Sequence, residues 1–168
     1  MKPRHDSQFK SLDLIRPIDS EDGAGLVRFF ENNNTPDVTR HFSPFPLTSE
    51  TAQRIARTPG RDRYFVGLVR GEIVALAMLR GWDEGFDIPS FGICVDRAHQ
   101  GVGIGRAMTE YSIEAARASG CGAVRLSVYA TNRRAIRLYE SLGFRETERT
   151  AIRVQGSSDL KVVMRKEL

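Results

Sequence analysis

The stretch HQGVGIGRAM, residues 99–108, sets Gly101, Gly103 and Gly105 on alternate positions directly before an apolar helical period. A turn that binds phosphate needs successive backbone N–H groups converging on an anion, and glycine permits the dihedrals and the close approach this requires. The helix that follows adds unpaired amides and the positive end of its dipole, so a pyrophosphate there needs few side chains. Arg106 can add a formal charge. The spacing lacks the Lys-Ser/Thr ending of a P-loop, and GVGIG is one residue short of a GxGxxG dinucleotide fingerprint, which disfavours a nucleotide hydrolase. Taken alone, the three glycines read equally well as a flexible strand-to-helix turn.

A second group of chemically able residues follows in TNRRAIRLYESLGF, residues 131–144. Asn132 and Tyr139 stand two helical turns apart and so share nearly one face. Read singly, Asn132 is a helix N-cap and Tyr139 a core aromatic beside Ala135 and Leu142. A third group lies in GWDEGFDIP, where Glu84 and Asp87 stand near Trp82 and Phe86, which could wall a pocket. Either carboxylate could take a proton from an amine, with Glu84 preferred, and solvated loop carboxylates are the competing reading. Cys94 sits within a β-like run with no neighbouring base, which marks a buried thiol rather than an acyl carrier.

The elements that must position these residues alternate along the chain without repeats. LDLIRPI (12–18) reads as a strand, and Asp19, Ser20 and Asp22 offer caps to a helix through Leu26, Val27, Phe29 and Phe30. The proline- and aromatic-rich TRHFSPFPLTSE (39–50) reads as a loop, with Thr48 or Ser49 capping a helix over 51–57. Two β-rich runs within 63–81, split by a hairpin turn at Arg70-Gly71, precede a further strand at 90–96. From residue 101 the period changes to about 3.6, giving a helix with Ile104, Met108, Tyr111, Ala115 and Ala118 as its apolar stripe. A strand (123–130), a helix (132–142) stopped by Gly143, and two strands (145–154 and 160–166) around QGSSD complete the chain. Strand, helix and strand over 90–128 predict a parallel crossover inside an otherwise antiparallel sheet, hence an α+β class with a mixed sheet.

The two linked motifs resemble those of the GNAT superfamily of acyl-coenzyme A dependent N-acetyltransferases. Gln100, Gly103 and Gly105 match its Gln/Arg-x-x-Gly-x-Gly/Ala pattern, and Asn132, Tyr139, Gly143 and Phe144 match its Asn, helical Tyr and closing Gly-Phe. The resemblance covers nearly the whole chain. It implies parallel central strands that splay apart, so that the backbone of Ile93, Cys94 and Val95 bonds the pantetheine arm of acetyl-coenzyme A. It also implies that the turn of Gln100, Gly101, Val102, Gly103, Ile104, Gly105 and Arg106 holds the pyrophosphate. Asn132 would bond the pantetheine or pyrophosphate region, and Tyr139 would protonate the departing thiolate. The reaction implied is direct attack by an amine, without metal. Some members carry a glutamate four residues before the first pantetheine-bonding residue. That position here is Pro89, so the general base is left to Glu84, Asp87 or His41.

Composition bounds the remainder. At 168 residues, 40% apolar and 27% charged, the chain is sized for a single domain, expected over 11–168 behind a flexible tail at 1–10. The start lacks a signal-like apolar core, and the run from Ile73 to Leu79 is too short to cross a bilayer, so a cytoplasmic protein is expected. Neither Cys94 nor Cys121 belongs to a metal-spaced cluster. The formal net charge of +4 and the arginines of the last third suit an anionic ligand, whereas no basic run interleaved with aromatics marks a nucleic-acid surface. Partners are therefore acetyl-coenzyme A and an amine acceptor, with a homodimer left open and a non-catalytic acyl-coenzyme A sensor as the alternative function. The acceptor is expected to be polar and cationic, entering between TRHFSPFPLTSE and GWDEGFDIP, with Phe42, Phe45 and Trp82 as walls.

Overall fold

A computed structural model describes residues 12–57, 60–154 and 156–168. The expected tail at 1–10 lies outside the described residues. The strands are β1 (Leu14–Pro17), β2 (Arg63–Val69), β3 (Glu72–Arg80), β4 (Ser90–Val95), β5 (Ala123–Tyr129), β6 (Arg145–Val154) and β7 (Ser157–Glu167). The helices are α1 (Gly23–Asn33), α2 (Pro36–Thr39), α3 (Ser49–Arg57), α4 (Ile104–Ala118) and α5 (Arg133–Ser141). The strands form one sheet in the order β1-β2-β3-β4-β5-β7-β6. Every pairing is antiparallel except β4 with β5, which are joined through α4. This is the mixed α+β sheet that the sequence predicts.

Side-chain alternation divides the sheet into two faces. Leu76, Met78 and Cys94 pack with Leu26, Phe30, Ala52 and Ile55 on the α1/α3 face. Ala75, Ala77, Leu79, Phe91, Val124 and Leu126 pack with Ile104, Met108, Ile113 and Tyr139 on the α4/α5 face. Each large side chain so buried contributes about 1.5–3 kcal/mol relative to exposure. The α1/α3 cluster includes no described residue of β5, β6 or β7, and Arg125 and Ser127 are exposed there. That part of the face is open, and it adjoins the one parallel pairing.

Several boundaries differ from the sequence reading for local reasons. Asp19 caps a short 3-10 turn, Ser20–Asp22, through a capping box with Asp22 before α1 begins. Arg70 and Gly71 both have positive φ (51° and 78°), so the hairpin expected between β2 and β3 is a tight one of the primed kind. The short helix α2 stands where the sequence reading ends a helix and begins a loop. Strand β7 starts at Ser157, inside the expected QGSSD turn, which tightens the β6–β7 hairpin. Ala118 is exposed, while Thr109 and Ser112 are buried, their hydroxyls donating to Gly105 O (2.6 Å) and Met108 O (2.8 Å). Back-bonding to the preceding turn hides two polar residues from a hydrophobic-period reading.

Candidate active site

The site begins where β4 and β5 part. Their register contains only Ser90↔Arg125 and Phe91↔Leu126. Beyond Phe91, β4 keeps β3 on one side, from Met78↔Gly92 to Ala75↔Val95, and has no strand on the other. The direction of each backbone group follows from alternation along an unbroken antiparallel ladder. Asp96 N donates to Val74 O at 2.8 Å, so Cys94 and Gly92 also bond toward β3, and the groups of Ile93 and Val95 point into the splay. Pro89 O, which accepts from Arg125 N at 3.0 Å, has the same parity and the same direction. Cys94, expected among the pantetheine-bonding backbone, is thereby corrected: its amide and carbonyl serve the β3 ladder. Its thiol is buried among the α1/α3 cluster, and burial pushes its pKa up to about 12. The Val95 carbonyl accepts from Gln100 Nε2 at 3.1 Å, so the side chain of Gln100 closes the wide end of the splay.

The glycine turn sits at that wide end. Gly101 and Gly103 have φ of 84° and 91°, the left-handed region that glycine enters without a Cβ penalty. Gly105 is already helical, in the first turn of α4. The amides of residues 101–106 donate to no acceptor among the described residues, and the first bond back into the turn is Ala107 N to Gly103 O at 3.1 Å. A run of free donors at a helix start is an anion-binding arrangement. Val102 is 42% exposed, while Ile104 packs inward against the α4/α5 cluster. Arg106 reaches sideways, donating to Ser141 Oγ at 2.7 Å and pairing with Glu110 at 3.6 Å. A cation from α5 stands over the turn: Arg134 Nη2 lies 3.2 Å from where a Cβ of Gly101 would stand. In the sequence Arg134 is one arginine of a basic last third, and its position just inside α5, after the Asn132 cap, is what sets it apart.

Helix α5 brings Asn132 and Tyr139 to the same region. Asn132 Oδ1 accepts from Ala135 N at 3.2 Å, so the N-cap role is real, and the Nδ2 donor has no partner among the described residues. Tyr139 is 7% exposed, and its ring meets Phe91, at the vertex of the splay, edge-on with centroids 6.2 Å apart, and Phe144 at 5.9 Å. Desolvation pushes its pKa up to about 12, so the hydroxyl keeps its proton throughout the neutral range. Core aromatic and proton donor are compatible here, because the ring packs while the hydroxyl forms no bond to another described residue.

The two loops expected to flank the acceptor both reach the open α1/α3 face. The His41 ring lies 6.0 Å from Tyr129, Ser43 Oγ is 3.5 Å from the Tyr129 hydroxyl, and the Arg80 guanidinium stands 5.5 Å over the Phe45 ring. From the other loop, Glu84 pairs with Arg80 at 3.9 Å, and Phe86, 49% exposed, underlies Arg125 at 5.2 Å. Trp82 does not wall this space. It is buried in the α4/α5 cluster, while Asp62 Oδ1 accepts from the amides of Gly81, Trp82 and Asp83 and pins the loop. Phe42 is likewise core. The charges beside the vertex are mixed: Arg80 is balanced by Asp62 (3.7 Å) and Glu84, whereas Arg125 has no carboxylate partner among the described residues. A cavity of about 610 Å3 lined by Arg57, Asp62 and Tyr64 lies between β2 and α3, and it does not border the splay.

A splayed parallel pair running into a free-amide turn defines a fold that can hold an extended, amide-rich arm with an anionic head. The sequence model of the Acetyltransferase (GNAT) family matches residues 26–144. The chain belongs to the GNAT acetyltransferase family. Its structure is similar to an acetyltransferase of that family from Streptococcus pneumoniae (TM-score 0.79, 22% identity, 92% of this chain and 99% of that one). It is also similar to a putative acetyltransferase from Salmonella typhimurium solved with its cofactor acetyl-CoA (TM-score 0.76, 23% identity, 92% of each chain). Among curated proteins, the [ribosomal protein bS18]-alanine N-acetyltransferase of Escherichia coli is 46% identical over 56 residues, 33% of this chain and 38% of its own length. The mycothiol acetyltransferase of Thermomonospora curvata is 50% identical over 50 residues, 30% of this chain and 17% of its own length. The chain thus matches well under half of either curated relative.

Proposed function

We propose that this chain is an N-acetyltransferase that moves the acetyl group of acetyl-coenzyme A to a primary amine of a small molecule or a protein. The observation that carries this reading is the continuity of free backbone groups: Ile93 and the Val95 amide open into the splay, and the free amides of 101–106 follow at its wide end. From Val95 to Phe91 the strand offers about 13 Å, at ~3.3 Å per residue, for an amide-bearing arm lying as an added strand. The amides of Gly101, Val102, Gly103, Ile104, Gly105 and Arg106 hold the pyrophosphate, with Arg134 supplying the charge. Asn132 Nδ2 donates to the arm, and the reacting thioester comes to rest at Phe91, beside Tyr139.

The amine nitrogen bonds to the acyl carbon, the carbon–sulfur bond breaks, and one nitrogen proton must leave as one proton reaches sulfur. Holding both reactants removes most of the bimolecular cost. Tyr139, protonated at neutral pH, donates to the developing thiolate. Glu84, kept on the acceptor face by Arg80, receives the amine proton directly or through water. The chain acts as one domain in the cytoplasm; among the described residues no helix is long and apolar enough to cross a membrane. Following release of free thiol from acetyl-coenzyme A against a panel of amines tests the reading. Amine-dependent thiol release supports it, and tight acetyl-coenzyme A binding without turnover on any amine would leave the sensor function instead.

A further inference from the structure

The strand register carries arginine along a single row of the open face. Arg80 is opposite Ser90, Ser90 opposite Arg125, Arg125 opposite Arg165, and Arg165 opposite Arg145. Directly opposed residues share a face, and strands about 4.8 Å apart make this row ~19 Å long. Two of its guanidiniums are already balanced: Arg80 by Asp62 (3.7 Å) and Glu84, and Arg165 by Glu167 (2.5 Å). Arg125 and Arg145 have no carboxylate partner among the described residues. The Arg125 guanidinium carbon lies 5.2 Å from the Phe86 ring centroid, and its strand position is one residue from the Phe91↔Leu126 pair at which the splay closes.

We infer that the acceptor amine carries a carboxylate and that Arg125 receives it, a substrate class that rests on the acetyltransferase reading above. A reacting carbon at the vertex is within an arginine side chain's length of the Arg125 backbone, so the guanidinium addresses a group only a few bonds from the nucleophilic nitrogen. The planar fork of arginine matches a carboxylate with two parallel hydrogen bonds, and the contact with the Phe86 ring restrains the side chain beside the vertex. An amino acid and the N-terminus of an acidic peptide both present this chemistry. The peptide could set a second carboxylate on Arg145, two strands further along. A nucleic acid fits less well, because the interleaved Asp62, Glu84 and Glu167 leave only alternate cations of the row unbalanced.

The test uses paired acceptors with rates referred to the free amine present: an amino acid and its amide, and a short peptide whose second residue is glutamate or glutamine. The carboxylate member of each pair should have a kcat/KM about 10-fold or more higher, and Arg125→Gln should bring that ratio close to one at unchanged acetyl-coenzyme A affinity, with Arg125→Lys between. Discrimination confined to the peptide pair assigns the acceptor to a protein, and discrimination in both pairs to the carboxylate itself. Calorimetry of the coenzyme A complex with an N-acetyl amino acid and its amide reads the same preference without turnover. A binding preference with no turnover keeps Arg125 as a carboxylate site and removes both the acetyltransferase reading and the acceptor assignment. Equal binding and equal rates within each pair, a ratio that survives Arg125→Gln, or salt-sensitive RNA binding with no discrimination between pair members would overturn the inference.

Discussion

Replacing Gly103 and Gly105 separately by alanine divides two glycines that look alike in sequence. Gly103 has φ 91° and open space around the position a Cβ would take, so alanine there clashes with nothing but must bear the left-handed strain. That strain is about 1–2 kcal/mol. If the turn keeps its shape, the fold bears the cost, and the melting temperature falls by roughly 2–8 °C for a chain of this size. If the turn relaxes, its free amides disperse and acetyl-coenzyme A affinity falls by about 5- to 30-fold. Gly105 is helical, and its added methyl would meet only Leu138 Cδ2 at an ordinary 3.6 Å. Alanine there gains up to ~1 kcal/mol in helix propensity. Gly105→Ala should therefore melt at or above the parent temperature and bind acetyl-coenzyme A within about threefold of the parent, since a lone methyl leaves the amides in place. Scanning calorimetry with a titration of acetyl-coenzyme A reads both outlets. A Gly103→Ala protein equal to the parent in both melting and affinity would refute the reasoning.

Tyr139→Phe should lower turnover at nearly unchanged acetyl-coenzyme A affinity, and the parent's rate should show no alkaline fall from this residue below about pH 11, because its pKa stands at about 12. Glu84→Gln should depress the rate most at low pH, where little free amine exists, with partial rescue at high pH; superimposable profiles would remove Glu84 as the base. Arg134→Gln should weaken acetyl-coenzyme A binding and flatten its salt dependence, read by calorimetry at two ionic strengths. Cys94, buried with its pKa pushed up to about 12, should resist alkylation at pH 8 while the partly exposed Cys121 reacts first, and mass spectrometry during turnover should find no acetyl group on the enzyme.

Where local chemistry dictated an element, the sequence was legible: the alternate glycines before α4, the Arg70-Gly71 hairpin and the period change at residue 101 each have a mechanism within a few residues. The direction of the Cys94 backbone was not, because it depends on the parity of the ladder with β3, and a single register step would reverse it. Trp82, expected at the acceptor's entry, lines instead the cavity between β2 and α3. Its burial follows from Asp62, about twenty residues earlier in the chain, which holds the loop's amides. The arginine row was invisible because its members, spread from Arg80 to Arg165, meet only through strand order, above all the placement of β7 between β5 and β6. Arg134 was hidden by its company, one arginine among many until α5 set it over Gly101.

The central claim is that an acyl-coenzyme A arm completes β4 inside the splay, and amide hydrogen exchange tests it residue by residue. In the free protein the Cys94 amide, bonded toward β3, should exchange slowly, while those of Ile93 and Val95 exchange fast. Saturating coenzyme A should slow Ile93 and Val95 by about 10-fold or more, as expected for amides newly held in a bonded pair, and leave Cys94 nearly unchanged. Unaltered exchange at Ile93 and Val95 with coenzyme A demonstrably bound would contradict the account.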